Sequence, residues 1–267
     1  MRRTFLSSIG SELYRECISV KYFFVVLGIA VLIAFCNYSE IEAALIYPDA
    51  REMFSSSRSL SAVFYMEKFK AAIVVVLSAV VAVSVSEDCI QNFSSAYQVR
   101  MSAGLYVLVK VISNYFVCVI TMILGIWLYF ILMIPVMPIG DSMLEEMRGQ
   151  YGVYVDFAGN PFLYGAIMGS IFGGFAACLA GISMAISFLL PNRHLALAIP
   201  FMLLYVSYIA TMNTESMWNP MDLISGMGIF LFSSTGMYLY TMGIFATGNL
   251  LVGIGFYIEV RWRWRNA

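Results

Sequence analysis

Charge is what this chain has least of. Of its 267 residues only 12% are Asp, Glu, Lys or Arg, while 61% are hydrophobic and the mean hydropathy is +0.84. A soluble domain carries about 25% charge and about 45–50% apolar residues. A water-facing surface cannot be assembled from this composition, which excludes a single-domain cytosolic enzyme, a disordered chain and a small disulfide scaffold. Histidine occurs once, at His194. The five cysteines (Cys17, Cys36, Cys89, Cys118, Cys178) are scattered without a CxxC pair, so no disulfide or metal framework is written here. Glu145-Glu146 with Arg148 would suit a membrane protease only beside two histidines, and one is present. No GxxxxGK[ST] run occurs, so the chain has no phosphate-cradling loop of its own. Glu12 and Glu16 interrupt the N-terminal segment, which therefore does not read as a cleavable leader.

What is present is a set of long charge-free stretches: 22–39, 71–86, 111–140, 157–192, 195–214 and 223–258. A spanning helix needs about 20 apolar residues, with a range of about 17–25. Asn160-Pro161 and Ser233–Gly236 cut the two longest stretches, and Lys68 and Lys70 can snorkel beside the shortest. The fold class is therefore all-α integral membrane, one transmembrane domain with six spans: about 21–39, 69–86, 105–134, 162–190, 195–213 and 237–258. An even count puts both termini on one side. That side carries ten of the fifteen Lys and Arg residues, among them Arg2, Arg3, Arg15, Lys21, Arg100, Lys110, Arg193 and Arg261. Basic excess marks the cytoplasm. Both termini and the 87–104 loop are thus expected inside a plasma membrane, with Trp262 and Trp264 as interface anchors.

Residues 4–20 are amphipathic. Phe5, Ile9, Leu13 and Cys17 recur every four residues, while Glu12, Arg15 and Glu16 fill polar positions. This predicts a helix lying in the membrane interface. In the 86–104 loop, Ile90, Phe93 and Tyr97 share the spacing of one helical face. Glu87 and Asp88 at its start, Gln91 beside them and Arg100 at its end suit a short surface helix. The fourth stretch carries Gly165, Gly169, Gly173, Ala177 and Gly181 at every fourth position, a ridge that lets helices approach closely. The segment 213–236, with Trp218, Met221 and Phe230, is too apolar for an ordinary loop. Backbone at membrane depth must satisfy its own hydrogen bonds, so a pair of short re-entrant helices is expected there. The spans themselves hold almost no ionisable residues. Gradient-driven carriers place such groups at mid-depth, so this chain is expected to need an external motor.

The layout resembles the permease subunit of type-2 ABC exporters along its whole length. The most specific stretch is EDCIQNFSSAYQVRMSAGLYVLVK, with Glu87, Arg100, Ser102, Tyr106 and Lys110 at the positions the family tends to fill. Gln91-Asn92-Phe93 stands where the family often has glycine and threonine. The resemblance implies a non-catalytic membrane subunit, with ATP and Mg²⁺ held by a separate cytoplasmic ATPase and a second permease subunit as partner. It implies that 87–103 is a coupling helix contacting the ATPase through Glu87, Asp88, Ile90, Gln91, Phe93, Tyr97 and Arg100. It also implies that Glu12, Leu13, Arg15 and Glu16 brace that helix, that Trp218, Met221 and Phe230 line an exit, and that an amphipathic peptide, drug or lipid-like cargo leaves the cell. No metal site or nucleic-acid partner is implied. Two other readings stay open on sequence: a substrate-capturing membrane subunit of an ABC-type vitamin importer, and an immunity or sensor protein.

Overall fold

The computed structural model describes residues 2–47, 54–65, 67–91, 97–99, 101–140, 148–211, 219–226 and 233–266. Among these residues all regular structure is helical: α1 (Arg2–Cys17), α2 (Val20–Cys36), α3 (Tyr38–Ile46), α4 (Ser56–Tyr65), α5 (Glu67–Ile90), α6 (Ala103–Met133), α7 (Arg148–Tyr151), a 3₁₀ turn over Val153–Phe157, α8 (Pro161–Leu189), α9 (Arg193–Thr211), α10 (Pro220–Ser225) and α11 (Ser234–Asn266). Five helices (α5, α6, α8, α9 and α11) are long and apolar enough to cross a membrane. A sixth crossing exists if α1 and α2, bent by 63° at their junction, count as one broken span.

Local chemistry sets the helix starts. Ser19 caps α2 by accepting the Tyr22 N–H at 3.1 Å, and Ser102 caps α6 by accepting from Leu105 at 3.4 Å. Asn160 accepts from Leu163 at the start of α8, with Pro161 in the first turn, where its missing N–H costs nothing. The expected cut at Asn160-Pro161 is thus a capped helix start. The last helix extends beyond the charge-free stretch. α11 runs on through Trp262 and Trp264 to Asn266, because Arg263 donates to the Phe188 carbonyl and its guanidinium sits 5.0 Å from the Phe188 ring.

α8 is the central helix, packed against α5, α6, α9 and α11. Its glycines explain the fit. A Cβ on Gly173 would stand 2.5 Å from Val119 Cα and 2.9 Å from the Cys118 carbonyl oxygen, and one on Gly169 3.0 Å from Ile123 Cα. Gly165 faces Ile126 and Phe130 in the same way, while Gly181 faces Val252 of α11. The ridge is spent inside this chain, mainly on the α6 backbone. Asn114 of α6 fastens the contact by donating to the Ala177 carbonyl at 2.8 Å.

The two ends of the bundle differ. At the end remote from the termini, Tyr154 donates to the Leu223 carbonyl at 3.0 Å and accepts from the Thr241 hydroxyl at 2.8 Å. Gly152 and Gly226 both have positive φ, and the chains cross so closely that a Cβ on Gly226 would meet the Tyr154 ring at 2.8 Å. Only glycine takes that backbone shape cheaply. This crossing seats α10 against the bundle with Leu223 and Ile224 buried. Within the 213–236 segment, where a re-entrant pair is expected, one short helix, α10, is described. Met221 lies on it, with its side chain outside the described residues, as are Trp218 and Phe230.

Candidate functional site

The end that holds the termini gathers buried charge from three helices. Lys110, 3% exposed, enters on the second turn of α6. Its Nζ lies 2.5 Å from Glu12 Oε1 of α1 and 2.7 Å from Asp88 Oδ2 at the end of α5. Arg15 bridges the same two acids, at 2.6 Å to Glu12 Oε1 and 2.9 Å to Asp88 Oδ1. Glu16, also buried, reaches Arg15 only at 3.9 Å. An outer layer surrounds this core. Glu87 meets Lys21 at 3.3 Å and Arg193 at 3.8 Å, joining the α1–α2 bend to α5 and to the start of α9.

Helical spacing brings these groups together. Glu12, Arg15 and Glu16 fall on one face of α1 at i, i+3 and i+4. The apolar positions Leu13 and Cys17 pack against the core beside them. Leu6, Tyr14 and Ile18 remain exposed. α1 therefore presents polar anchors and an apolar seat to the bundle, and further apolar surface outward.

The inner core is one positive charge short. Three acids (Glu12, Glu16, Asp88) face two cations (Arg15, Lys110), and a buried carboxylate without its own cation is costly. Burial pushes the Glu16 carboxyl up to about 7; Glu12 adds to this, while Lys110, Arg15 and Ser84 oppose it. Burial also works against the Arg15 charge, but Glu12 and Asp88 outweigh it and hold the guanidinium above its usual range. Burial, then Glu16, pushes the Cys17 thiol up.

Among the described residues between α5 and α6, Tyr97 and Gln98 meet the bundle. Tyr97 is half-buried; its ring lies 5.4 Å from that of Tyr106, which in turn lies 5.6 Å from Trp264. Arg15 donates to the Tyr97 hydroxyl at 3.4 Å, and Gln98 donates to the Trp264 carbonyl at 3.1 Å. Burial, reinforced by the Asp88 and Glu12 charges, pushes the Tyr97 phenol up. These contacts tie α1, the end of α5, Tyr97 and Gln98, the start of α6 and the end of α11 together.

The structure relocates several residues expected on a surface helix. Glu87, Asp88 and Ile90 form the last turns of α5, which simply continues beyond the apolar stretch. Gln91 follows at its end. Phe93 and Arg100 lie outside the described residues. Ile90 and Val99 are further outward apolar groups at this end, 46% and 88% exposed. Sequence reasoning missed Val99, Lys21, Ser84 and Arg193 as site residues, and it treated Lys110 as a span-opening residue rather than a buried partner. The only sequence signal for Lys110 was its place directly against the 111–140 charge-free stretch. His194 stands exposed in the first turn of α9, its N–H held by Asn192 Oδ1 at 2.9 Å.

No protein family, curated protein or solved structure matches this chain.

Proposed function

We propose that this chain is the membrane permease subunit of an ATP-driven exporter of the type-2 ABC kind. It carries an amphipathic peptide, drug or lipid-like substrate out of the cytoplasm, and a separate cytoplasmic subunit binds ATP and Mg²⁺ and hydrolyses the nucleotide. On this reading both termini face the cytoplasm in a plasma membrane, and two permease subunits, identical or different, enclose the path. α1 lies in the membrane interface, the segment around 87–103 seats in the ATPase, and α10 belongs to a re-entrant pair near the exit.

The observation that carries this reading is the buried ion network. An interfacial helix that only anchored the chain would need no ionic lock to two spans. Buried ion pairs contribute little net stability compared with an apolar core, but they fix geometry. A set of contacts that joins α1, Tyr97 and two spans suits a protein that must transmit a push from its cytoplasmic face. The outward Ile90 and Val99 would give such a motor apolar surface to meet.

The reading is tested by purifying the tagged chain from its own membranes under mild detergent. A stoichiometric nucleotide-binding subunit and vanadate-sensitive ATP turnover are expected. A chain that comes out alone, or turns over no ATP with its neighbours, overturns the reading.

A further inference from the structure

α11 runs past its charge-free stretch and carries Arg261, Arg263 and Arg265 in its last turns. Arg263 is spent on the Phe188 carbonyl and ring. Arg261 and Arg265 stand exposed, and neither pairs with an acid among the described residues. The Arg261 guanidinium lies over the Tyr257 ring, 6.0 Å from its centroid. Ile254, Ile258, Arg261 and Arg265 follow at i, i+4, i+7 and i+11, so they share one helical face. Ile254, Ile258 and Trp262 are exposed as well. This end of α11 therefore turns unpaired positive charge and apolar surface in the same direction.

That face flanks the seam where α11 packs on α6. A Cβ on Gly104 would stand 3.6 Å from the Tyr257 ring, and one on Gly253 3.4 Å from Val111. Deeper along the same two helices lies a slot of about 230 Å³, walled by Ile112, Tyr115 and Phe116 of α6 and by Ala246 and Leu250 of α11. No charged residue lines it, and Asn249 on its wall spends its amide N–H groups on the Phe245 and Gly174 carbonyls. Phe116 and Leu250 of that wall are exposed, as are Leu108 and Ile254 nearer the terminal end. Leu250 and Arg261 are separated by about 16 Å of helix. One leaflet of hydrocarbon is about 15 Å deep, half of the bilayer core. With Arg261 at headgroup level, the slot lies at the depth where an acyl chain ends.

We propose that the α6–α11 seam binds one anionic phospholipid of the leaflet at the terminal end, its phosphate on Arg261 and Arg265 and one acyl chain passing Leu108 and Ile254 to end in the slot. Two unpaired arginines favour a headgroup of net negative charge, because a choline or ethanolamine headgroup brings its own cation against them. Trp262 sits where aromatic rings mark the headgroup level. A soluble phosphate could meet the same arginines but would leave the slot and its apolar flank uncovered. A second copy of the chain related by a two-fold axis along the membrane normal would bring its own Arg261 and Arg265 against this pair, a like-charge contact. The assignment rests on the chain lying in a membrane and holds with or without an ATPase partner.

The test is lipid retention by the purified full chain in native mass spectrometry. Phosphatidylglycerol, phosphatidylethanolamine and phosphatidylcholine of identical chains are compared, with soluble glycerol 3-phosphate as competitor. Phosphatidylglycerol should be retained best, and glycerol 3-phosphate should displace nothing. Arg261→Gln or Arg265→Gln should lower phosphatidylglycerol retention about fivefold, and both together roughly 25-fold, with phosphatidylcholine little changed. Ala246→Trp, which fills the slot, should weaken retention of all three lipids alike. In the wild-type chain, phosphatidylglycerol with a photoreactive group at its acyl terminus should label residues within 112–116 or 246–250. Equal retention of phosphatidylglycerol and phosphatidylcholine, unchanged retention in the double arginine variant, no loss in Ala246→Trp, or displacement by glycerol 3-phosphate would each overturn the proposal. So would labelling elsewhere, or a second copy of the chain crosslinked at Ile254 in place of lipid. The labelling experiment needs no variant, so it decides the matter even if a variant misfolds.

Discussion

Replacing Lys110 with methionine keeps length and apolar volume while deleting one charge from a site that is 3% exposed. Glu12 and Asp88 then lose contacts of 2.5 and 2.7 Å, and three buried acids face Arg15 alone. Removing one partner of a buried pair costs about 3–5 kcal/mol, because the remaining charge stays uncompensated. Much of that cost can be escaped by undocking α1, which hydrates Glu12 and Glu16. The undocked population should therefore rise by roughly two to three decades. Cys17 reports it, since its half-buried thiol on α1 is held in protonated, slow-reacting form by burial and by Glu16. In a variant retaining Cys17 as the sole cysteine, maleimide labelling should accelerate by about that factor. Adding Glu12→Gln and Glu16→Gln to Lys110→Met leaves one acid facing one cation and should restore most of the protection. Unchanged labelling and unchanged thermal stability in Lys110→Met would refute the idea that this network holds α1.

The pH dependence has a defined sign. Glu16 binds its proton near 7 in the folded chain against an ordinary 4.5, with Glu12, Arg15, Lys110 and Ser84 facing it. Between those values the folded state holds the extra proton, so stability should fall as pH rises from 4.5 to 7 and then level off. The total is on the order of 3 kcal/mol, and thermal midpoints of Glu16→Gln should lose this slope. Gly173→Ala should destabilise by about 1–3 kcal/mol, since its Cβ meets α6 backbone that cannot yield. Neighbouring Gly174→Ala should be neutral or stabilising in the same melt, because its Cβ makes only ordinary side-chain contacts, with Phe245 at 3.6 Å and Tyr115 at 3.8 Å. Tyr97→Glu should lower the melting temperature by breaking the Tyr106 contact. Val99→Glu should leave it unchanged yet reduce ATPase copurification, which separates packing from docking.

The helical class and the apolar runs were legible because they rest on composition and on caps such as Asn160-Pro161. The glycine spacing of α8 likewise declared close packing, although its partner helix became visible only in three dimensions. The charged site was legible in part. The i, i+3, i+4 set of Glu12, Arg15 and Glu16 is local, but nothing local links Glu12 to Lys110, 98 residues away. Long-range ion pairs carry no sequence period. The apolar stripe through Ile90 and Tyr97 suggested an outward face. The structure turns Tyr97 inward, because Tyr106 and Trp264 offer it aromatic surface, and leaves Val99 outside.

The most direct measurement places a photo-crosslinking amino acid at Val99 in the chain expressed in its own cells. Irradiation should yield one discrete adduct with a nucleotide-binding subunit, strengthened or weakened by ATP. Adducts with lipid alone, or no adduct from a folded chain exposed at that position, would contradict a permease driven by a separate motor.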